Sequence, residues 1–128
     1  MPGLDITPRL PAGRQLIQSY GNGGFRIAGE IYRGPVLILP ERTAPWSVLD
    51  PEGITPDSLA EVKADVSSTR ILVIGCGSHF VPPPESLAAS LREAGVALEW
   101  MDTGAACRTF NVLLIEGRDV AAALIAVP

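Results

Sequence analysis

The sequence predicts a single α/β domain, on three observations. The chain has 128 residues, which suffices for one hydrophobic core and is too short for two. Two short continuous apolar runs, residues 36–39 (VLIL) and 70–75 (RILVIG), read as strands buried on both faces. The second run is followed by a helical apolar stripe and then by another strand-like run. That order is a right-handed βαβ unit with a parallel strand pair, and it is the strongest fold signal in the chain.

Composition bounds the function. Hydrophobic residues make up 47% and charged residues 19%, a globular rather than a disordered balance. Ten basic residues against fourteen acidic ones argue against nucleic acid as the main partner, because phosphate binding rests on an excess of Lys and Arg. Lys63 is the single lysine, and no basic run interrupts the chain. No apolar run approaches a membrane-spanning length, and the first residues lack the apolar region of a secretory signal. The chain is therefore expected to be intracellular. Cys76 and Cys107 are too few for a disulfide framework and are expected as reduced, partly buried thiols.

Element by element, residues 1–13 carry Pro2, Pro8 and Pro11 without a period and read as a flexible arm before a single domain over residues 14–128. Residues 16–19 read as a short strand, ended by the turn cluster Tyr20-Gly21-Asn22-Gly23-Gly24. Phe25, Ile27 and Ile31 alternate with Arg26, Ala28 and Tyr32, the period of a half-buried strand pair bent near Gly29. Gly34-Pro35 makes the next turn, the VLIL strand follows, and Pro40 stops it. Residues 41–54, with Pro45-Trp46, read as a connecting loop. Thr55-Pro56-Asp57 is a helix start, with Leu59 and Val62 facing inward. After the strand at 70–75 comes a loop over 75–81. Three prolines then lead into a helix with Leu87, Ala88, Leu91 and Ala94 on one face and Gly95 just beyond its end. Residues 96–101 form the next strand.

The segment MDTGAACRTFNVLLIEGR, residues 101–118, reads as a helix with Thr103 as its N-cap and Gly117 as its stop. Ala106, Phe110, Leu113 and Leu114 form the core stripe. Val112 and Ile115 fall off that stripe, flanking Arg108. Residues 119–127 (DVAAALIAV) read best as a final buried strand, although their alanines also suit a helix.

Four constellations invite chemistry. Gly75-x-Gly77 lies between a strand and a helix, the setting of a phosphate loop, and Glu99 stands near the place of a ribose-binding acid. The third glycine position is Phe80 and prolines follow, so a tight turn is the favoured reading. Cys76 and His79 are close enough for a nucleophile pair but lack an orienting third group, and a loop role is favoured. One histidine and two cysteines fall short of a structural zinc set. Arg108 and Asn111 are the sharper pair. Arg108 could clamp a partner's acid, or it could pair with Glu116 or remain solvated. With Val112 and Ile115 it makes a mixed apolar-and-arginine patch of the kind found in interface cores.

The segments YGNGGFRIAGEIYRGPVLILP, ILVIGCGSHFVPPPESLAASLREAGVALEWMDTGAACRTFNVLLIEGR and DVAAALI resemble the small conserved domain family of mitochondrial complex I assembly factor 3 and its bacterial relatives. Thr103, Ala106, Thr109, Phe110, Asn111 and Arg118 match the family's most specific pattern, and the loop glycines Gly75 and Gly77 with the prolines after them match the family too. Cys76 is a departure or a variable position in that loop, which weakens a cysteine mechanism. The resemblance implies a three-layer fold with a central mixed, mostly parallel sheet, a final strand antiparallel to the others, and a small N-terminal β-meander layer. It implies no enzymatic activity and no cofactor. It implies a non-catalytic assembly role through protein partners, either membrane-complex subunits or other assembly factors. The location implied is cytoplasmic for a bacterial member and the mitochondrial matrix for the eukaryotic ones.

The partner surface expected on this basis is Arg108, Asn111, Val112 and Ile115 with Trp46, and a second copy of the chain is one candidate partner. The alternative is a binder of anionic metabolites, or an enzyme, using a pocket of Gly75, Cys76, Gly77, Ser78 and His79 with Thr103 at the helix start.

Overall fold

The computed structural model describes residues 14–64 and 68–128; the arm expected over residues 1–13 lies outside the described residues. The first three strands, β1 (Ile17–Gly21), β2 (Gly24–Ile27) and β3 (Glu30–Arg33), form an antiparallel meander. Two-residue turns join them, Asn22-Gly23 and Ala28-Gly29, all four residues with positive φ. Such turns match the twist of the flanking strands.

That turn length corrects one expectation. Ile27 pairs with Glu30 and Phe25 with Tyr32, so the sequence parity of inward residues switches across the hairpin. Phe25 and Ile27 are buried, whereas Ile31 lies opposite Arg26 on the outer face and is 71% exposed.

A second sheet holds β4 (Val36–Ile38), β5 (Thr43–Pro45), β6 (Ile71–Gly75), β7 (Ala97–Met101) and β8 (Val120–Leu124) in the order β5-β4-β8-β6-β7. β5 lies where the sequence reads as loop. It is a three-residue edge strand ending in proline, too short and too exposed to show a period. The final segment is a strand, not a helix. It does not run antiparallel to the rest of the sheet, as expected, but parallel to β6 and antiparallel only to β4. The reason is connectivity. A helix crosses from β7 to β8 and returns the chain in the same direction, whereas β4 comes from the meander and turns directly into β5.

Alternation along the inner strands buries both faces. Leu37, Leu72, Ile74, Ala121 and Ala123 face one core with Trp46, Leu59, Val62, Leu87 and Leu91. Leu59 belongs to a 3-10 turn, Asp57–Leu59, that runs into α1 (Ala60–Ala64); Leu87 and Leu91 belong to α2 (Leu87–Glu93). The expected start at Thr55 is present, since its hydroxyl accepts from the Ser58 N–H at 3.2 Å. Val36, Ile38, Val73, Ala122 and Leu124 face the other core. That side is covered by α3 (Thr103–Ile115) together with Ile17, Phe25 and Ile27 of the meander. The layers are therefore α1 and α2, the five-stranded sheet, and α3 beside the meander. The N-cap of α3 is Asp102, whose carboxylate accepts from the Ala105 N–H at 2.9 Å. Thr103, expected as the cap, is the first helical residue and is fully buried. No helix among the described residues is long and apolar enough to cross a membrane.

Candidate functional site

The loop after β6 and the start of α3 come together as the sequence suggests, but as a closed knot. The Cys76 N–H donates to the Met101 carbonyl at 2.9 Å and the Thr103 N–H to the Gly77 carbonyl at 2.9 Å. The Thr103 hydroxyl accepts from the Gly77 N–H at 3.1 Å and donates to the Ile125 carbonyl at 2.8 Å. The Ile125 N–H returns to the Gly75 carbonyl at 3.0 Å. A Cβ on Gly75 would stand 2.8 Å from the Thr103 hydroxyl and 2.9 Å from its Cα, so glycine is what lets helix and strand approach this closely.

These contacts leave the loop little with which to hold an anion. The N–H groups of Cys76, Gly77 and Ala105 are already engaged, and the Asp102 carboxylate sits at the positive end of the helix. Ser78, His79 and Phe80 form the exposed outer part of the loop. Cys76 is 1% exposed, and its thiol points at the His79 carbonyl, 3.5 Å away, rather than at the imidazole. Glu99 pairs with Val73 in mid-strand, away from the loop's mouth.

The outer side of α3 is different. At about 100° per residue, Arg108, Val112 and Ile115 fall opposite the stripe of Ala106, Phe110 and Leu114. Val112 is 55% exposed and Ile115 44%. The Arg108 guanidinium donates to the Tyr20 hydroxyl at 3.1 Å, which joins the helix to β1. Tyr20 belongs to this face, and the sequence alone reads it as part of a turn. Eighty-eight positions separate it from Arg108, and no local pattern spans that distance. Beside them, Ile17, Gln18 and Ser19 with Cys107 and Asn111 line a groove of about 330 Å³.

Two expected members of the partner surface have their polar groups engaged within the fold. Asn111 is a clamp within the fold: its amide accepts from the Ile17 N–H at 2.9 Å and donates to the Ile17 carbonyl at 2.7 Å. Trp46 is buried on the far side of the sheet, its indole N–H donating to the Ser58 carbonyl at 2.9 Å. Burial also raises the Cys107 thiol to about 12, with Arg108 opposing weakly, so this cysteine is neutral and inert in the fold. Among the described residues no three His, Cys, Asp or Glu side chains converge as metal ligands would.

Comparison with known proteins gives this geometry a context. The family described as protein of unknown function (DUF498/DUF598) matches residues 17–125. An uncharacterised protein of Rhodobacter capsulatus is 40% identical over 125 residues, covering 96% of this chain and 95% of that one. NADH dehydrogenase [ubiquinone] 1 alpha subcomplex assembly factor 3 of Homo sapiens is 34% identical over 125 residues, covering 98% of this chain and 68% of that protein. The crystal structure of an outer membrane protein from Bartonella henselae has the same fold, with a TM-score of 0.84 and 40% identity, covering 91% of this chain and 98% of that one.

Proposed function

The chain belongs to the DUF498/DUF598 family, and on that premise we propose that it is a non-catalytic interaction protein that assists the assembly of a respiratory membrane complex, NADH dehydrogenase (complex I) first among the candidates. One observation carries this reading. The helix that bears the family's most specific motif leaves Val112 and Ile115 exposed beside Arg108, although the same helix buries Phe110 and Leu114 and half-buries Leu113. Exposed apolar groups set around an arginine are the composition of a protein-binding patch. In this reading the protein works on the cytoplasmic face of the bacterial membrane, which corresponds to the matrix side for its mitochondrial relatives. No comparable observation favours catalysis or anion binding, since the backbone polar groups of Gly75, Cys76 and Gly77 are spent on Thr103, Met101 and Ile125.

The test is affinity purification of the tagged protein from its own cells with membranes included, beside an Arg108→Glu, Val112→Glu double variant. Wild type is expected to bring down subunits of NADH dehydrogenase, and the variant to lose them at unchanged melting temperature. An identical partner set in the two samples sinks the assignment of the surface. A partner set without any respiratory subunit sinks the assembly role.

A further inference from the structure

β7 forms one edge of the five-stranded sheet, with β6 on its inner side and no strand on its outer side among the described residues. The Ala97 N–H donates to the Arg70 carbonyl and the Met101 carbonyl accepts from Cys76, so residues 97, 99 and 101 turn their backbone groups inward. Alternation then turns the N–H and C=O groups of Leu98 and Trp100 outward. No hydrogen bond to these four groups is formed among the described residues. The opposite edge is protected by its brevity and by Pro45, whereas β7 has neither proline nor lysine and carries one exposed charge, Glu99. An edge whose outward backbone groups are unpaired is a template for another strand.

At the amino end of the same edge lies a groove of about 570 Å³, walled by Ala88, Val96 and Leu98 and flanked by Arg70 and Arg92. Both arginines are exposed, and neither makes an ion pair among the described residues. Two guanidiniums that form no ion pair among the described residues, set beside an apolar wall, match a carboxylate.

We propose that the β7 edge binds an extended peptide of a partner protein, antiparallel to β7, whose terminal carboxylate is held by Arg70 and Arg92. The guest's backbone would pair with Leu98 and Trp100, and an apolar side chain near its end would enter the groove. A guest running antiparallel leaves the edge at Ala97. There Arg92 of the last turn of α2 and Gly95 just beyond the helix wall the groove, so a chain end fits better than a continuing chain. This surface is separate from the Arg108 ridge and does not depend on it.

The probe is a fluorescent hexapeptide of alternating apolar and hydroxyl residues with a free C-terminal carboxylate. It is compared with its C-terminal amide and with an amide carrying one internal glutamate. The free acid is expected to bind and to shift the backbone amide resonances of Leu98 and Trp100. Arg70→Gln with Arg92→Gln should weaken it about tenfold or more, as should amidation. The Arg108→Glu, Val112→Glu variant should bind it as wild type does, which separates this proposal from the preceding one. Four results would overturn it: no binding, equal binding by the Gln variant, equal binding by the internal-glutamate amide, or self-association through β7 in sedimentation that excludes the peptide.

Discussion

The two ends of one polar question meet on α3. At its first turn, Asp102, Thr103 and the loop over residues 75–77 bring many polar groups into a small space, and nearly all of them pair with one another. On its outer side, fewer polar groups stand among exposed apolar ones, and among the described residues Arg108 has the Tyr20 hydroxyl as its side-chain partner. The first region looks more like a binding site in sequence and is the less available one in space. What decides availability is not the residue types but whether the donors and acceptors already have partners. A buried unpaired polar group is costly, so folding satisfies the crowded end internally.

The contrast can be broken by substitution, and the expected effects fall in order. Gly75→Ala forces backbone and hydroxyl atoms apart at the knot and should cost about 3 kcal/mol in urea denaturation; a wild-type midpoint would show that the close approach is not needed. Thr103→Val keeps the shape but leaves the Gly77 N–H and the Ile125 carbonyl unpaired, for a loss of about 2–3 kcal/mol by the same measurement. Asn111→Ala removes both bonds to Ile17 and should cost about 2 kcal/mol, with earlier hydrogen exchange in β1 than in β6. Uniform loosening of both strands would deny Asn111 its clamp role.

Smaller effects test the middle and the outside of the helix. Cys107 keeps its proton in the fold up to about pH 12, whereas the unfolded thiol loses it near 9.0. The unfolded state therefore binds fewer protons between those values, and the contribution is complete below pH 9 and lost as pH rises toward 12. Cys107→Ala should cost about 1 kcal/mol at pH 7 and should fall less steeply than wild type above pH 9; parallel curves would show the thiol to be uncoupled. Arg108→Glu with Val112→Glu should change stability by less than about 0.5 kcal/mol, because both side chains face solvent. A large loss there would make the ridge part of the fold's support rather than a docking surface.

Most of the architecture was legible because burial writes itself into periodicity. The VLIL and RILVIG runs, the βαβ order and the stripe on α3 each appear where the pattern places them. The misses have physical causes. β5 is too short for a period, Ile31 was turned outward by a two-residue turn, and the direction of β8 is set by the crossover before it. The candidate site was less legible. Asn111 and Trp46 carry donors that look available in one dimension, and only their partners at Ile17 and Ser58 show otherwise.

The sequence by itself determined the composition of the core, the element types and the presence of surplus polar and apolar residues on one helix. These are local properties, set by side-chain volume, propensity and repeat. Only the tertiary structure decided which of those residues are free. Tyr20 reaches Arg108, Ile17 occupies Asn111, and β7 is left as an open edge. Each of those outcomes depends on groups brought together from distant parts of the chain, and no local pattern encodes such a meeting.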